Sequence, residues 1–229
     1  MIHWIRAMVF ELFAIVAIIC LQLIGFVWKP KFSQKRGGRP ILLVHGYINT
    51  SAVWIYIKWK LSRRTLGPIY TIDLKHPFRS MTEHAKQVEK CAERIEKETG
   101  RFDLILIGYS MGGIISSFYA THLAPQGKVT DVLTIASPFA GTYVAKMAFG
   151  KNGREMERGS TFLKKLNQEM RKSHKIRFSH IASKTDEIII PYTSAVFDEK
   201  RKYIFNDLGH GALIFSPRVA NKLISFINE

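Results

Sequence analysis

Leu104-Ile105-Leu106-Ile107-Gly108-Tyr109-Ser110-Met111-Gly112-Gly113 is the stretch that decides the fold. Four consecutive apolar residues with no polar alternation suit a strand buried on both faces, as in a parallel sheet. Gly108 and Gly112 carry no Cβ, so the chain can turn sharply after the strand and a helix can pack close behind it. A second apolar run begins at Ile114. Strand, G-x-S-x-G turn and helix together make an elbow that lifts the Ser110 hydroxyl out of the sheet at a helix N-terminus. The glycine spacing alone is weak; the strand and helix around it give it weight.

Outward from the elbow, strands and helices alternate. Ile41-Leu42-Leu43-Val44 reads as another buried strand and runs into His45-Gly46-Tyr47. Ser51 is expected to cap a helix reaching about Arg64, with Val53, Trp54, Ile57 and Leu61 on one face. Residues 70–74 give a third strand. Ser80 and Glu83 have capping-box spacing, and the helix they open carries Ala85, Val88, Cys91, Ala92 and Ile95 until Gly100 stops it. The elbow helix should end near Leu123, before Pro125. Further strands are expected at 129–137, 176–183 and 202–205, and Ser216-Pro217 starts a terminal helix with Val219, Leu223 and Ile227. Such alternation places the chain in the α/β class, with a mostly parallel sheet flanked by helices on both faces.

An N-terminal hydrophobic helix is expected ahead of this domain. Residues 7–28 are mostly apolar, broken by Glu11 and Gln22. With Glu11 set aside as interfacial, 12–28 is about the shortest helix that spans a bilayer. Residues 1–28 are therefore read as an uncleaved membrane anchor, with a signal peptide or an interfacial helix as alternatives. No A-x-A step closes the run, and Ile19 is bulky for a lipoprotein cleavage site before Cys20. Residues 29–39 form a basic linker, and its charge excess over the N-terminal flank puts the domain in the cytoplasm, with a secreted or periplasmic location as the alternative. A chain beginning near Arg39 is expected to keep its turnover.

Lys and Arg outnumber Asp and Glu by 34 to 18, a formal charge of +16 over 229 residues. This excess favours an anionic partner such as a membrane surface, nucleic acid or an acidic substrate, against the plain alternative of a soluble basic surface. No zinc-finger spacing, RNP-like stretch or repeat is present, so no nucleic-acid partner is expected. The two cysteines, Cys20 and Cys91, do not make a disulfide framework.

On four pieces, the chain resembles the α/β-hydrolase superfamily and, within it, the small triacylglycerol-lipase-like esterases. They are Leu43-Val44-His45-Gly46-Tyr47, the elbow through Gly113, Ala136-Ser137-Pro138-Phe139-Ala140-Gly141-Thr142, and late Asp and His positions. The resemblance covers residues 40–229, in the family's order of Ser, acid and His. The family commonly has a histidine where Phe139 stands, so that contact differs here. The domain is short for the superfamily, which implies a reduced sheet without a large separate cap.

The resemblance implies that Ser110 is the nucleophile. A serine hydroxyl attacks only when an imidazole takes its proton. Among the histidines, His210 is placed for this, on a flexible, glycine-flanked loop after a strand; His45, His76, His84, His122, His174 and His180 have no comparable position. Asp186 matches the family's acid, with Glu187 as its close rival and Asp198 and Asp207 as outsiders. The plain reading of Asp186 is a turn former that caps local amides. The backbone N–H groups of Met111 and Tyr47 are the implied oxyanion donors, while His45 orders its loop.

Residues 142–177 interleave apolar and basic side chains, and in lipases such a region forms a small lid or acyl-chain wall; ordinary surface helices are the alternative. Together these features point to a serine hydrolase that cleaves an ester with an apolar acyl chain, on a lipid or other apolar ester substrate, through an acyl-enzyme. No metal or cofactor is needed for this chemistry. A thioesterase or amidase with the same triad is one alternative, and a non-catalytic, membrane-anchored binding module is the other.

Overall fold

The computed structural model describes residues 2–27, 37–64 and 67–229, and the side chains of 10–22, 37–64 and 67–229. Six strands, β1 (Ile41–Val44), β2 (Ile69–Ile72), β3 (Leu104–Tyr109), β4 (Val129–Ile135), β5 (Arg177–Ser183) and β6 (Lys202–Phe205), form one sheet in the order β2-β1-β3-β4-β5-β6. Every pairing is parallel. The order reverses around β1 and β3, and the carboxyl ends of such strands are where parallel α/β sheets place their sites. Ser110 stands at that edge.

Alternation along the strands sends side chains to two cores. Ile41, Leu43, Ile105, Ile107 and Tyr109 enter one, shared with α2 (Ile55–Ser62), α7 (His210–Phe215) and α8 (Pro217–Asn228). Leu42, Val44, Leu104 and Leu106 enter the other, under α3 (Met81–Thr99), α4 (Met111–Phe118) and α6 (Thr161–Lys172). All four β1 residues are buried. Full burial of such a side chain is worth roughly 1.5–3 kcal/mol. That is why unbroken apolar runs, with no alternation in polarity, mark these strands.

Local signals account for several helix ends. Ser80 and Glu83 form a reciprocal capping box on α3, and Gly100 ends that helix in the left-handed conformation. The elbow helix continues beyond α4 as a π-helical turn, Tyr119–Leu123. Ser51 is not a cap. It starts a 3₁₀ turn, Ser51–Trp54, whose preceding residue is Thr50, and its backbone N–H donates to Asp73 Oδ1 at 2.6 Å. His210 differs from its expected flexible loop as well: it is the buried first residue of α7.

The N-terminal segment forms the helix α1 (Ile2–Val27), but among the described residues no helix is long and apolar enough to cross a membrane. One face of α1 docks on α7 and on the 3₁₀ turn, through buried Ala14 and partly buried Ile18. Phe10, Phe13, Val16 and Ile19 face outward. Glu11, expected at an interface with lipid, is instead 8% exposed and packed inside the protein. Of the expected linker, residues 29–36 lie outside the described residues. Arg39 pairs with buried Asp131 at 2.6 Å, a carboxylate that Arg177 also holds at 2.6 Å.

Candidate active site

Ser110 joins β3 to α4 with φ 54° and ψ −124°. A non-glycine residue in that region costs about 1–3 kcal/mol and persists only where its surroundings fix it. They do so here. Ser110 N–H donates to Ile135 O at 2.8 Å, tying the elbow to β4. A Cβ on Gly108 would fall on the Gly113 backbone, and one on Gly112 on the carbonyls of Val44 and His45. Side chains at either position would push helix, strand and neighbouring loop apart.

The loop after β1 lies against the serine: a Cβ on Gly46 would meet Ser110 Cβ at 3.1 Å. His45 orders this loop. Its Nδ1 donates to Gly46 O at 2.9 Å and its Nε2 accepts from Leu74 N–H at 3.0 Å, a neutral tautomer. Burial lowers its pKa, against opposing contributions from the Gly46 bond and Asp73. Among the described residues, the N–H groups of Tyr47 and Met111 donate to no partner. Tyr47 is held by its hydroxyl, which donates to Phe149 O and accepts from Phe149 N–H, both at 2.8 Å. Sequence reasoning missed buried Asn152, whose Nδ2 donates to Pro77 O at 2.6 Å and contacts Met111 Sδ at 3.3 Å. It ties the residue after the serine to α5 (Gly150–Glu155).

Asp186 and His210 meet across the carboxyl ends of β5 and β6. The ring Nδ1 lies 2.9 Å from Asp186 Oδ2 and 3.1 Å from Oδ1. Oδ1 also accepts from Ile188 and Ile189 N–H, at 2.9 and 2.8 Å, so Asp186 shapes its own turn while it holds the imidazole. Burial disfavours the His210 cation, but the charge and hydrogen bond of Asp186, aided by Glu187 and Glu11, outweigh it and raise the pKa. With Nδ1–H directed at the carboxylate, Nε2 is left to accept a proton. The His210 ring lies 5.0 Å from that of Tyr109, whose hydroxyl donates to His210 O at 3.1 Å. Ser110 and His210 share no hydrogen bond here; such contacts often tighten only when substrate is bound.

Glu187 does not touch the ring. Its Oε2 accepts from His210 N–H at 3.1 Å, while Glu11 accepts from the next two amides. Burial, then the Glu11 charge and a hydrogen bond with Glu11, raise the Glu187 pKa to about 7. The outsiders serve locally: Asp198 caps Lys200 N–H, and Asp207 pairs with Arg218 at 2.8 Å. Of the other histidines, His180 is buried beside Phe139, its ring 5.2 Å away, and burial lowers its pKa to about 3. Among the described residues, no group of His, Cys, Asp and Glu is arranged to hold a metal ion.

The segment expected as a lid divides in two. Tyr143–Met147 forms a 3₁₀ turn that exposes Met147 (81%), and Phe149 (75% exposed), just before α5, bonds to Tyr47. In contrast, α6 buries Leu163, Leu166 and Met170 in the core and turns its lysines outward.

Several solved structures resemble this fold. The mature Bacillus licheniformis lipase BlEst2 superposes with a TM-score of 0.71 at 17% identity, over 87% of this chain and 95% of the lipase. Aspergillus fumigatus lipase B gives 0.68 at 18% identity, over 84% of this chain and 53% of its own. Bacillus subtilis naproxen esterase gives 0.60 at 14%, over 86% of each chain. These likenesses establish the α/β-hydrolase fold. Residues 74–203, more than half of the sequence, match the PGAP1-like alpha/beta domain, and the chain belongs to that family.

Proposed function

We propose that this chain is a serine hydrolase that cleaves a carboxylic ester with an apolar acyl chain. The observation that carries this reading is the buried Asp186–His210 pair at the same sheet edge as a serine held at positive φ. Ser110 Oγ attacks the ester carbonyl carbon while His210 Nε2 takes its proton and Asp186 stabilises the imidazolium. The carbonyl oxygen becomes an oxyanion between the free N–H groups of Met111 and Tyr47. Collapse breaks the bond to the alcohol, which leaves with the proton from His210, and the acyl group remains on Ser110. Water, deprotonated by His210, then releases the acid and restores the hydroxyl.

Exposed Met147, Phe149 and Phe78 near Tyr47 suit an acyl chain delivered from a lipid–water boundary. The formal charge of +16 and the outward cations of α6 suit an anionic surface at that boundary. Thioesters and amides would use the same groups, so a panel of leaving groups decides among them.

Ser110→Ala tests the reading. It should lose fluorophosphonate labelling and roughly 10⁴-fold or more of ester turnover, with thermal unfolding unchanged. A folded Ser110→Ala protein that keeps most of its turnover ends the serine mechanism. Absence of labelling in the unmodified chain would indicate a binding module instead.

A further inference from the structure

The carboxylate of Glu11 comes from α1, 200 residues before its partner, yet it reaches the base. Glu11 Oε1 accepts from Gly211 N–H at 2.6 Å and Oε2 from Ala212 N–H at 2.9 Å. The chain is notched to receive it. A Cβ on Gly209 would collide with this carboxylate, and one on Gly211 would meet Glu11 Oε1 at 2.9 Å and Ala14 Cβ at 3.3 Å. The glycines on either side of His210 therefore leave room for α1, whereas flexibility alone would place no demand on what lies beside them. Neither φ is positive, so backbone conformation does not require glycine at 209 or 211.

We propose that Glu11 is a positioning residue for His210: by gripping the two amides after it, Glu11 fixes where the imidazole stands, and makes α1 a working part of the active site. This rests on the hydrolase reading above. It also reverses the expectation that a chain beginning near Arg39 keeps its turnover. The charged and titratable groups facing Glu11 are Glu187 and Asp186 after β5, His210 on α7, and Tyr109 on β3. Asp207 and its partner Arg218 line the groove on the other side of α1.

The test uses the full chain. Glu11→Ala should reduce kcat on a short soluble ester by roughly tenfold to a hundredfold, the scale of a small misplacement of a reacting group, with KM little changed. Glu11→Gln keeps the shape and one acceptor, and should recover much of that loss. It also removes a negative charge that favours the His210 cation. In Glu11→Gln/Glu187→Gln, where no second carboxylate ionises in its place, the His210 pKa falls relative to Glu187→Gln alone, and the acid limb of kcat/KM moves to lower pH. A purely structural helix would change thermal unfolding and leave that limb in place.

A second readout needs no turnover. By NMR, the His210 ring should titrate at lower pH in Glu11→Gln/Glu187→Gln than in Glu187→Gln, and the Gly211 and Ala212 amides should exchange faster in Glu11→Ala. Unchanged ring titration and amide exchange in these variants overturn the proposal. If the unmodified chain neither turns over nor labels, the hydrolase reading fails, and the NMR measurements still decide whether Glu11 positions His210.

Discussion

His210 is held from two sides by carboxylates that do different jobs. On the ring side, Asp186 meets Nδ1 directly and is itself steadied by two amides of its own turn. On the backbone side, Glu187 and Glu11 accept from three successive N–H groups, those of residues 210, 211 and 212, and neither takes the ring Nδ1 bond. Ring-side contact sets which nitrogen carries the proton; backbone-side contact sets where the ring stands. Losing the first changes the chemistry of the base, while losing the second only misplaces it.

The comparison orders the expected losses. Asp186→Asn should be the most damaging, about 10⁴-fold in kcat, because the amide can stabilise the wrong tautomer and cannot balance the cation. Glu187→Gln keeps an oxygen for His210 N–H, and should cost about tenfold or less. The reverse order, measured on one soluble ester, would make Glu187 the ring's partner in solution and dissolve the distinction between the two sides.

A double-mutant cycle sharpens the backbone side. Gly209→Ala alone should displace α1 and lower kcat, since its Cβ runs into the Glu11 carboxylate. With Glu11→Ala already present, the same methyl has less to strike and should cost little more. A coupling of about 1 kcal/mol or more between the two sites is expected, and independent effects would place the damage elsewhere. The smallest effect should come from reversing charge at Lys164, Lys165 and Lys172 on the outward face of α6, with soluble-ester turnover unchanged. Binding to anionic vesicles at low salt should fall, because each such cation adds about 1 kcal/mol near an anionic surface. Binding equal to that of the unmodified chain would assign the positive charge another purpose.

Where a signal is local, the sequence shows it. The run Ile41–Val44 is the observed β1, the Ser80–Glu83 pair is an observed capping box, and the elbow glycines lie where close packing demands them. Asp186 had two readings, turn former and partner of the base, and the structure shows both contacts on one carboxylate. Glu11 was illegible because nothing near residue 11 records an amide 200 residues away. A lone carboxylate in an apolar run reads first as an interruption at a lipid boundary. The paired glycines around His210 were the available clue, and they read more simply as flexibility. Ser51 misled for a related reason: the expected cap lies inside a 3₁₀ turn that Asp73, on the neighbouring strand's loop, holds from outside.

The grip of Glu11 on the amides of α7 also fixes an order of events during synthesis. The contact closes almost the whole chain, so α1 leaves the ribosome long before the residues that receive it. At about 5–20 residues per second, some 200 residues take roughly 10–40 s. Throughout that interval the stripe of Glu11, Ala14 and Ile18 has no α7 to cover it. Whatever occupies that stripe first, a chaperone or a bilayer, must give it up before His210 can be set in place.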